Sequence, residues 1–162
     1  MNGHAFAGAF MTAMMHDYRI MNPHKGYLCL NEVEFGAPLR PPMASIFRNK
    51  LTRPDIYRTI VLEAKRFSAP EALKEGIIDG LGGWEETSSF ITEKGLMNKG
   101  ESGVYGKLKE EMWRETVRLL EAGGSVENEE GVTRAHAASR DDEAARQRVK
   151  NWESRAHGLS KL

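Results

Sequence analysis

The sequence predicts an α/β fold over residues 1–82, followed by helices and a polar tail. Short apolar segments at 17–21 and 26–31 are typical of strands, and the first of them stops at an Asn-Pro pair. Residues 8–16 are apolar on all sides, which predicts a buried helix rather than a surface helix. From residue 125 onward aliphatic side chains are sparse, so this part cannot bury enough surface to offset the entropy of ordering.

The elements between these segments follow from local signals. Proline is favoured in the first turn of a helix, and a Ser-x-x-Glu capping box satisfies the free N–H groups of that turn. These signals predict a helix over 42–49, a helix opened by Thr52 and Pro54, a short helix from Ser68 to Gly76 with Glu71 in its capping box, and a strand at 77–79.

Two longer helices are predicted over 84–97 and 104–120. Apolar side chains recur along the second helix at steps of three and four residues, which gives it one apolar stripe. The stripe consists of Tyr105, Leu108, Met112, Thr116 and Leu119. We expect it to face the core or another subunit, and a ligand-binding role is the alternative.

The composition changes at Gly123-Gly124, which predicts a domain boundary there. Residues 1–122 would form one domain, with a core over 1–82 and helices over 83–122. Residues 123–162 would form a polar, mobile tail.

Charge and cysteine content exclude several classes of protein. The chain has 23 basic and 23 acidic residues, so no affinity for nucleic acid is expected. Cys29 is the one cysteine, which excludes an intrachain disulfide and suits a reducing compartment. The apolar run 5–15 is too short to span a membrane. Residues 1–4 contain no Lys or Arg, so no signal peptide is expected.

Gly8 lies where a loop is expected to become a helix. Backbone N–H groups in the first helical turn have no intrahelical partner, and the helix dipole favours negative charge there. A glycine at this point would let a ligand oxygen approach the backbone. Close packing of the helix on a strand explains a glycine here equally well.

Glu32 follows an apolar segment that is predicted to be a strand. Partial burial there would make its carboxylate a useful base. The alternative is a solvated carboxylate at a strand end. Glu34 would share the face of Glu32 only if the strand continued. These residues alone do not decide between the two glutamates.

Several blocks taken together resemble the crotonase superfamily, which contains the enoyl-CoA hydratases and isomerases. They are Asn2-Gly3-His4-Ala5, Ala7-Gly8, Asp17-Tyr18-Arg19-Ile20 and the segment 68–79. Their order matches the crotonase run of strand, glycine-containing turn, buried helix and short strand. The resemblance covers about residues 1–82 and implies an incomplete crotonase-like spiral.

Within the superfamily, the chain resembles the Δ3,Δ2-enoyl-CoA isomerases. Hydratases use two glutamates, and the position that matches the first is Met11 here, which cannot titrate. The second matches Glu32 in a Leu-Asn-Glu motif similar to that of the isomerases. Residues 104–112 are also similar to a C-terminal helix of the plant and fungal isomerases. An enoyl-CoA hydratase is the alternative enzyme.

The resemblance implies a set of site residues. Glu32 would be the base that moves a proton from C2 to C4 of a 3-enoyl-CoA. Gly8 would give a backbone N–H to the oxyanion, and Ala7 and Phe35 would contact the substrate. Acyl-CoA would be the ligand, and no metal or redox cofactor would be needed.

The resemblance also begins inside the crotonase core. We therefore expect a truncated chain that lacks the other oxyanion donor and is weakly active or inactive by itself. A catalytically dead remnant, or a subunit that binds intact copies, is the alternative that is not an enzyme. Both the truncated enzyme and the inactive remnant are compatible with a homo-oligomer.

The last three residues are Ser160, Lys161 and Leu162, which match the peroxisomal import tripeptide. They predict recognition by the import receptor and location in the peroxisome, where an isomerase of fatty-acid β-oxidation is expected.

Overall fold

Four two-residue strands and a larger set of helices make up the described part of the chain. The computed structural model describes residues 1–122, 142–152 and 154. In chain order the elements are β1 (Ala5–Phe6), α1 (Gly8–Met15), β2 (Ile20–Met21), β3 (Leu28–Cys29), α2 (Glu32–Phe35), α3 (Pro41–Lys50), α4 (Pro54–Glu63), α5 (Ala69–Lys74), β4 (Gly80–Leu81), α6 (Trp84–Glu93), a 3₁₀ helix (Leu96–Gly100), α7 (Val104–Met112), α8 (114–122) and α9 (142–152).

The strands pair in parallel. Ala5 of β1 lies opposite Leu28 of β3, and Ile20 of β2 lies opposite Gly80 of β4. Parallel neighbours need a crossover between them, and helices supply much of it here. The predicted α/β class is confirmed, although helices predominate.

Three predicted strands have different bounds. The segment 17–21 pairs only at Ile20–Met21, and the segment 26–31 pairs only at Leu28–Cys29. The strand predicted at 77–79 lies instead at Gly80–Leu81, because Ile77 and Ile78 are buried in the core just before it. Apolar residues mark burial, but a strand also needs a partner at the right register.

Helix α1 lies at the surface and is buried on one face, so the prediction of a buried helix rather than a surface helix is wrong. Phe10, Met11 and Met14 are buried, whereas Met15 is 44% exposed. Phe10 meets Phe47 of α3 edge to face, with ring centroids 5.3 Å apart. This contact joins α1 to the apolar core. Leu28, Leu30, Ile60, Phe67 and Ile77 extend the same core.

The predicted helix 104–120 is interrupted at Trp113, directly after α7 ends at Met112. Its apolar stripe does not pack as one surface: Thr116 is buried, but Leu108 and Met112 are 62% and 58% exposed. A core-facing role is therefore wrong for most of the stripe, while a subunit-facing role stays a prediction. Helix α6 also ends early, at Glu93, before Gly95 with its positive φ of 59°.

Arg19 ties β2 to the segment before β4. Its side chain is 7% exposed, and its Nε donates to the carbonyl of Ile77 at 2.7 Å. Its Nη2 lies 3.1 Å from a carboxylate oxygen of Asp79. The Arg19 backbone N–H also donates to that carboxylate, and the Asp79 N–H donates to the Arg19 carbonyl, both at 2.8 Å.

The chain divides into two units, Met1–Leu119 and Leu120–Leu162. In the second unit the described residues include α9. Most of the predicted tail, including the tripeptide Ser160–Leu162, lies outside the described residues. Across the described ranges, helices lack the combination of length and apolar character that a membrane span requires.

Candidate active site

Gly8 begins α1 directly after β1. The helix has no side-chain cap, and the part of the chain that the structure describes offers no partner for the Gly8 N–H. A Cβ placed on Gly8 would meet nothing within 4 Å. The close-packing explanation for this glycine is therefore wrong. Gly8 is also exposed, so its unpaired N–H belongs to a residue that a ligand can reach.

Ala7 holds an unusual backbone conformation immediately before Gly8. Its φ of 49° and ψ of −122° lie in a region that residues with a Cβ rarely adopt. The Ala7 N–H donates to the Cys29 carbonyl at 2.9 Å, and the Ala7 carbonyl accepts from the Met11 N–H at 3.0 Å. These two bonds hold Ala7 in place and with it the peptide that carries the Gly8 N–H.

Glu32 is the first residue of α2, just beyond the carboxyl end of β3. The residue is 8% exposed, and its Oε2 is buried without a hydrogen-bond partner. The alternative of a solvated carboxylate is therefore wrong. Because the chain turns into a helix at Glu32, Glu34 does not share its face, and Glu34 is exposed.

Glu32 and Gly8 follow neighbouring parallel strands. The carboxyl ends of parallel strands lie at the same edge of a sheet, which is where α/β proteins place their ligands. Gly8 follows β1, and Glu32 follows β3. A backbone donor and a buried acceptor therefore belong to one edge.

The two residues predicted to contact substrate occupy different surroundings. Ala7 is half-buried at the turn between β1 and α1. Phe35 is the last residue of α2 and is 59% exposed. Phe35 therefore shares the short helix of Glu32 but is largely in solvent.

The surroundings of Cys29 in β3 favour a structural role over a catalytic one. Its Sγ donates to the Ala64 carbonyl at 3.1 Å. Burial raises the pKa of the Cys29 thiol, and the negative charges of Glu34 and Glu32 raise it further. The protonated thiol is thus favoured, so Cys29 is a poor nucleophile.

Asn31 is a polar residue of this edge that sequence reasoning did not identify. Its Oδ1, like Oε2 of Glu32, is buried without a partner. An asparagine before a helix ordinarily indicates a cap, so no sequence signal distinguished it.

A separate cavity is lined by other side chains. It has a volume of about 490 Å³, and its walls include Ile20, Phe90, Ile91 and Tyr105. Asp17 stands at its wall. Burial opposes ionisation of Asp17, but the hydrogen bond and charge of Lys109, whose Nζ lies at 2.9 Å, lower its pKa overall. Glu32 and Gly8 do not line this cavity, so the candidate site is identified by the chemistry of its residues and not by this cavity.

Comparison with known proteins gives matches to one family. Residues 1–148 match the family model described as enoyl-CoA hydratase/isomerase. The chain is 30% identical over 132 residues to "Enoyl-CoA delta isomerase 1, peroxisomal" of Arabidopsis thaliana, with 76% of this chain and 55% of the relative covered. It is 27% identical over 125 residues to "Enoyl-CoA delta isomerase 2, peroxisomal" of the same plant, with 74% and 52% covered.

Solved structures share the fold. A probable enoyl-CoA hydratase of Mycobacterium tuberculosis H37Rv superposes with a TM-score of 0.65 at 24% identity, covering 82% of this chain and 56% of that one. An enoyl-CoA hydratase of Mycobacterium marinum gives a TM-score of 0.61 at 24% identity, covering 75% and 53%. These matches confirm a partial crotonase-like fold.

The chain spans about half the length of the curated relatives it matches. The family model nevertheless covers most of the chain, from the glycine-containing turn through the buried glutamate to the helices beyond. The matched residues include β1, β3 and the turn between β1 and α1, which together place Gly8 and Glu32 at one edge of the sheet. The chain therefore belongs to the enoyl-CoA hydratase/isomerase family.

Proposed function

We propose that this chain carries the base of a Δ3,Δ2-enoyl-CoA isomerase, and that Glu32 is that base. The observation that carries the proposal is the buried Oε2 of Glu32, which has no hydrogen-bond partner. A carboxylate oxygen without a partner is free to accept a proton from carbon. The relatives named enoyl-CoA delta isomerase support the same reaction.

The proposed reaction moves one proton and one double bond. Glu32 takes a proton from C2 of a 3-enoyl-CoA, and the electrons of that C–H bond spread into the thioester carbonyl. The protonated Glu32 then gives the proton to C4. The double bond ends between C2 and C3, the carboxylate is regenerated, and no metal or redox cofactor is required.

Gly8 supplies the second part of the mechanism. Negative charge develops on the thioester oxygen when the C2 proton leaves. The free N–H of Gly8 donates to that oxygen, where the dipole of α1 adds to the stabilisation.

Met11 favours isomerisation over hydration. Met11 lies one turn after Gly8 on α1 and is 8% exposed, so this position is filled by an apolar side chain. Addition of water needs one group to activate the water and another to deliver a proton. A single carboxylate suffices to carry a proton from C2 to C4.

The test is product analysis with the full 162-residue chain. We expect conversion of trans-3-hexenoyl-CoA to trans-2-hexenoyl-CoA without formation of 3-hydroxyhexanoyl-CoA. Long incubations with chromatographic detection of both products are used, so that slow turnover is also measured. Hydration of trans-2-hexenoyl-CoA at a comparable rate would assign the hydratase instead, and turnover of neither substrate would favour the catalytically dead remnant over an isomerase.

We also propose that the protein acts in the peroxisome. Two relatives carry that compartment in their names, and the chain ends in Ser160, Lys161 and Leu162. An import receptor would recognise this tripeptide.

A fluorescent protein that carries the last dozen residues tests the location. We expect it to enter peroxisomes, and we expect the same fusion without Leu162 to stay in the cytosol. Diffuse fluorescence from the intact fusion would remove the proposal of peroxisomal location.

A further inference from the structure

Two consecutive residues hold the buried side-chain oxygens that lack partners in the described part of the chain. They are Asn31, through Oδ1, and Glu32, through Oε2. Buried polar atoms in folded proteins are paired in the great majority of cases, because an unpaired one keeps its full desolvation penalty. Each of these two oxygens therefore lacks a partner that a folded protein ordinarily supplies.

The Asn31 side chain does not cap helix α2, although Asn31 lies at the position where a capping residue is expected. It is the N-cap residue of α2, where an asparagine oxygen commonly accepts from the N–H groups of the first turn. Its side chain makes no such bond. The amide oxygen of Asn31 is instead buried without a partner, on the residue that precedes the base, and a donor from outside the chain would satisfy it.

The polar groups at this edge match those of an acyl-CoA thioester. The Gly8 N–H is a free donor, and Glu32 and Asn31 offer free acceptor oxygens. A thioester of coenzyme A offers a carbonyl oxygen, an acidic C2–H and, two methylene groups beyond its sulfur, an amide N–H of the pantetheine arm. The carbonyl suits Gly8, and the C2–H suits Glu32.

We propose that Asn31 is a second substrate-binding residue, whose Oδ1 accepts a hydrogen bond from the pantetheine amide N–H nearest to the thioester. The inference rests on the proposed function, since it assumes an acyl-CoA with its C2 at Glu32. By holding the arm, Asn31 fixes the acyl group along the path between C2 and C4.

The first test concerns the ligand-free protein. An unpaired buried amide destabilises the fold, so Asn31→Leu should raise the melting temperature by a few degrees. Asn49→Leu is the matched control, because the Asn49 amide donates to the Met112 carbonyl at 2.8 Å and its loss should lower the melting temperature. A fall for Asn31→Leu similar to that of Asn49→Leu would show a structural role and overturn the inference.

The second test is a binding cycle with the full chain. The probes are hexanoyl-CoA, which has no double bond to move, and an analogue with an ester oxygen in place of that amide N–H. We expect the analogue to bind wild type about tenfold more weakly, and Asn31→Leu to bind both probes equally. Asn31→Asp keeps an acceptor oxygen and should keep the preference for the amide.

The outcomes separate the two proposals. Equal binding of both probes by wild type, or a tenfold preference that survives in Asn31→Leu, would overturn the role of Asn31 while leaving the acyl-CoA site intact. Failure of wild type to bind hexanoyl-CoA at all would overturn the role of Asn31 and the proposed function together.

Discussion

At the scale of single residues, Ala7 is the point where backbone strain and the candidate site coincide. A residue with a Cβ at φ 49° and ψ −122° carries strain of about 1–3 kcal/mol, and such strain persists only where the surroundings enforce it. The bonds to Cys29 and Met11 are those surroundings. The strain is thus located on the peptide that carries the Gly8 N–H.

Ala7→Gly should stabilise the protein, although glycine ordinarily destabilises. An added glycine costs about 0.4–1 kcal/mol, because it increases the conformational entropy of the unfolded chain. Relief of the strain at Ala7 should exceed this cost, so we expect the free energy of unfolding to rise by about 1 kcal/mol. Chemical denaturation measures it. Ala13→Gly inside α1 is the control and should lose about 1 kcal/mol. Equal losses for both variants would contradict the strain at Ala7.

The sequence indicates which residues belong to the candidate site, but it does not predict the surroundings of each of them in the fold. Glu32 and Gly8 stand out because their blocks resemble a family. The unpaired oxygens of Asn31 and Glu32 and the positive φ of Ala7 depend on how the chain folds back on itself. These features have no local signature, because any asparagine before a helix reads as a cap.

At the scale of elements, helix α5 shows what local sequence can specify. The Ser68 hydroxyl and backbone N–H both bond to the Glu71 carboxylate, at 2.7 and 3.0 Å. This is the capping box predicted from four residues alone. Strand bounds were missed because pairing, and not residue type, decides where a strand begins and ends. Gly80, for example, is a poor strand residue that pairs with Ile20.

The capping box gives a prediction with a defined pH dependence. The Ser68 hydroxyl and backbone N–H lower the pKa of Glu71 from 4.5 to about 2. A lowered pKa means that the bond stabilises the fold fully above pH 4.5, and that this stability is lost as the pH falls toward 2.

Glu71→Gln should therefore melt below wild type at neutral pH, and the difference should shrink between pH 4.5 and 2. Thermal melts over that range measure it. Glu93→Gln serves as the control, since Glu93 lies in the last turn of α6, where no free N–H group needs a capping carboxylate, and its replacement should not lower the melting temperature. A Glu71→Gln difference that grows on acidification would have the wrong sign for a capping carboxylate.

At the scale of the whole molecule, the described chain leaves many large apolar side chains in solvent. Trp84 is 86% exposed, Met97 79%, Leu108 62% and Met112 58%. A large exposed apolar surface generally marks a binding surface. We propose that copies of the chain associate through Leu108 and Met112 of α7. This is the subunit-facing role predicted for the apolar stripe.

The double variant Leu108→Lys, Met112→Lys should reduce self-association. We expect wild type to form oligomers with strong binding of a hydrophobic dye, and the variant to show a lower mass by light scattering and less dye binding. Val149→Lys is the control, because Val149 is 55% exposed on α9 and its change should leave the mass unaltered. A monomeric wild type that binds no dye would contradict this proposal.

The assignment of Glu32 as the base is tested most directly by comparing Glu32→Gln with Glu34→Gln. Both glutamates lie on α2, but Glu32 is buried and Glu34 is exposed, so each variant makes the same chemical change in a different environment. The measurement is the rate at which the full chain converts trans-3-hexenoyl-CoA to trans-2-hexenoyl-CoA. Glutamine cannot accept the C2 proton, so we expect Glu32→Gln to lower the rate by about 10²–10⁴ and Glu34→Gln to change it by less than about threefold. If Glu34→Gln abolished turnover while Glu32→Gln kept it, Glu32 would not be the base.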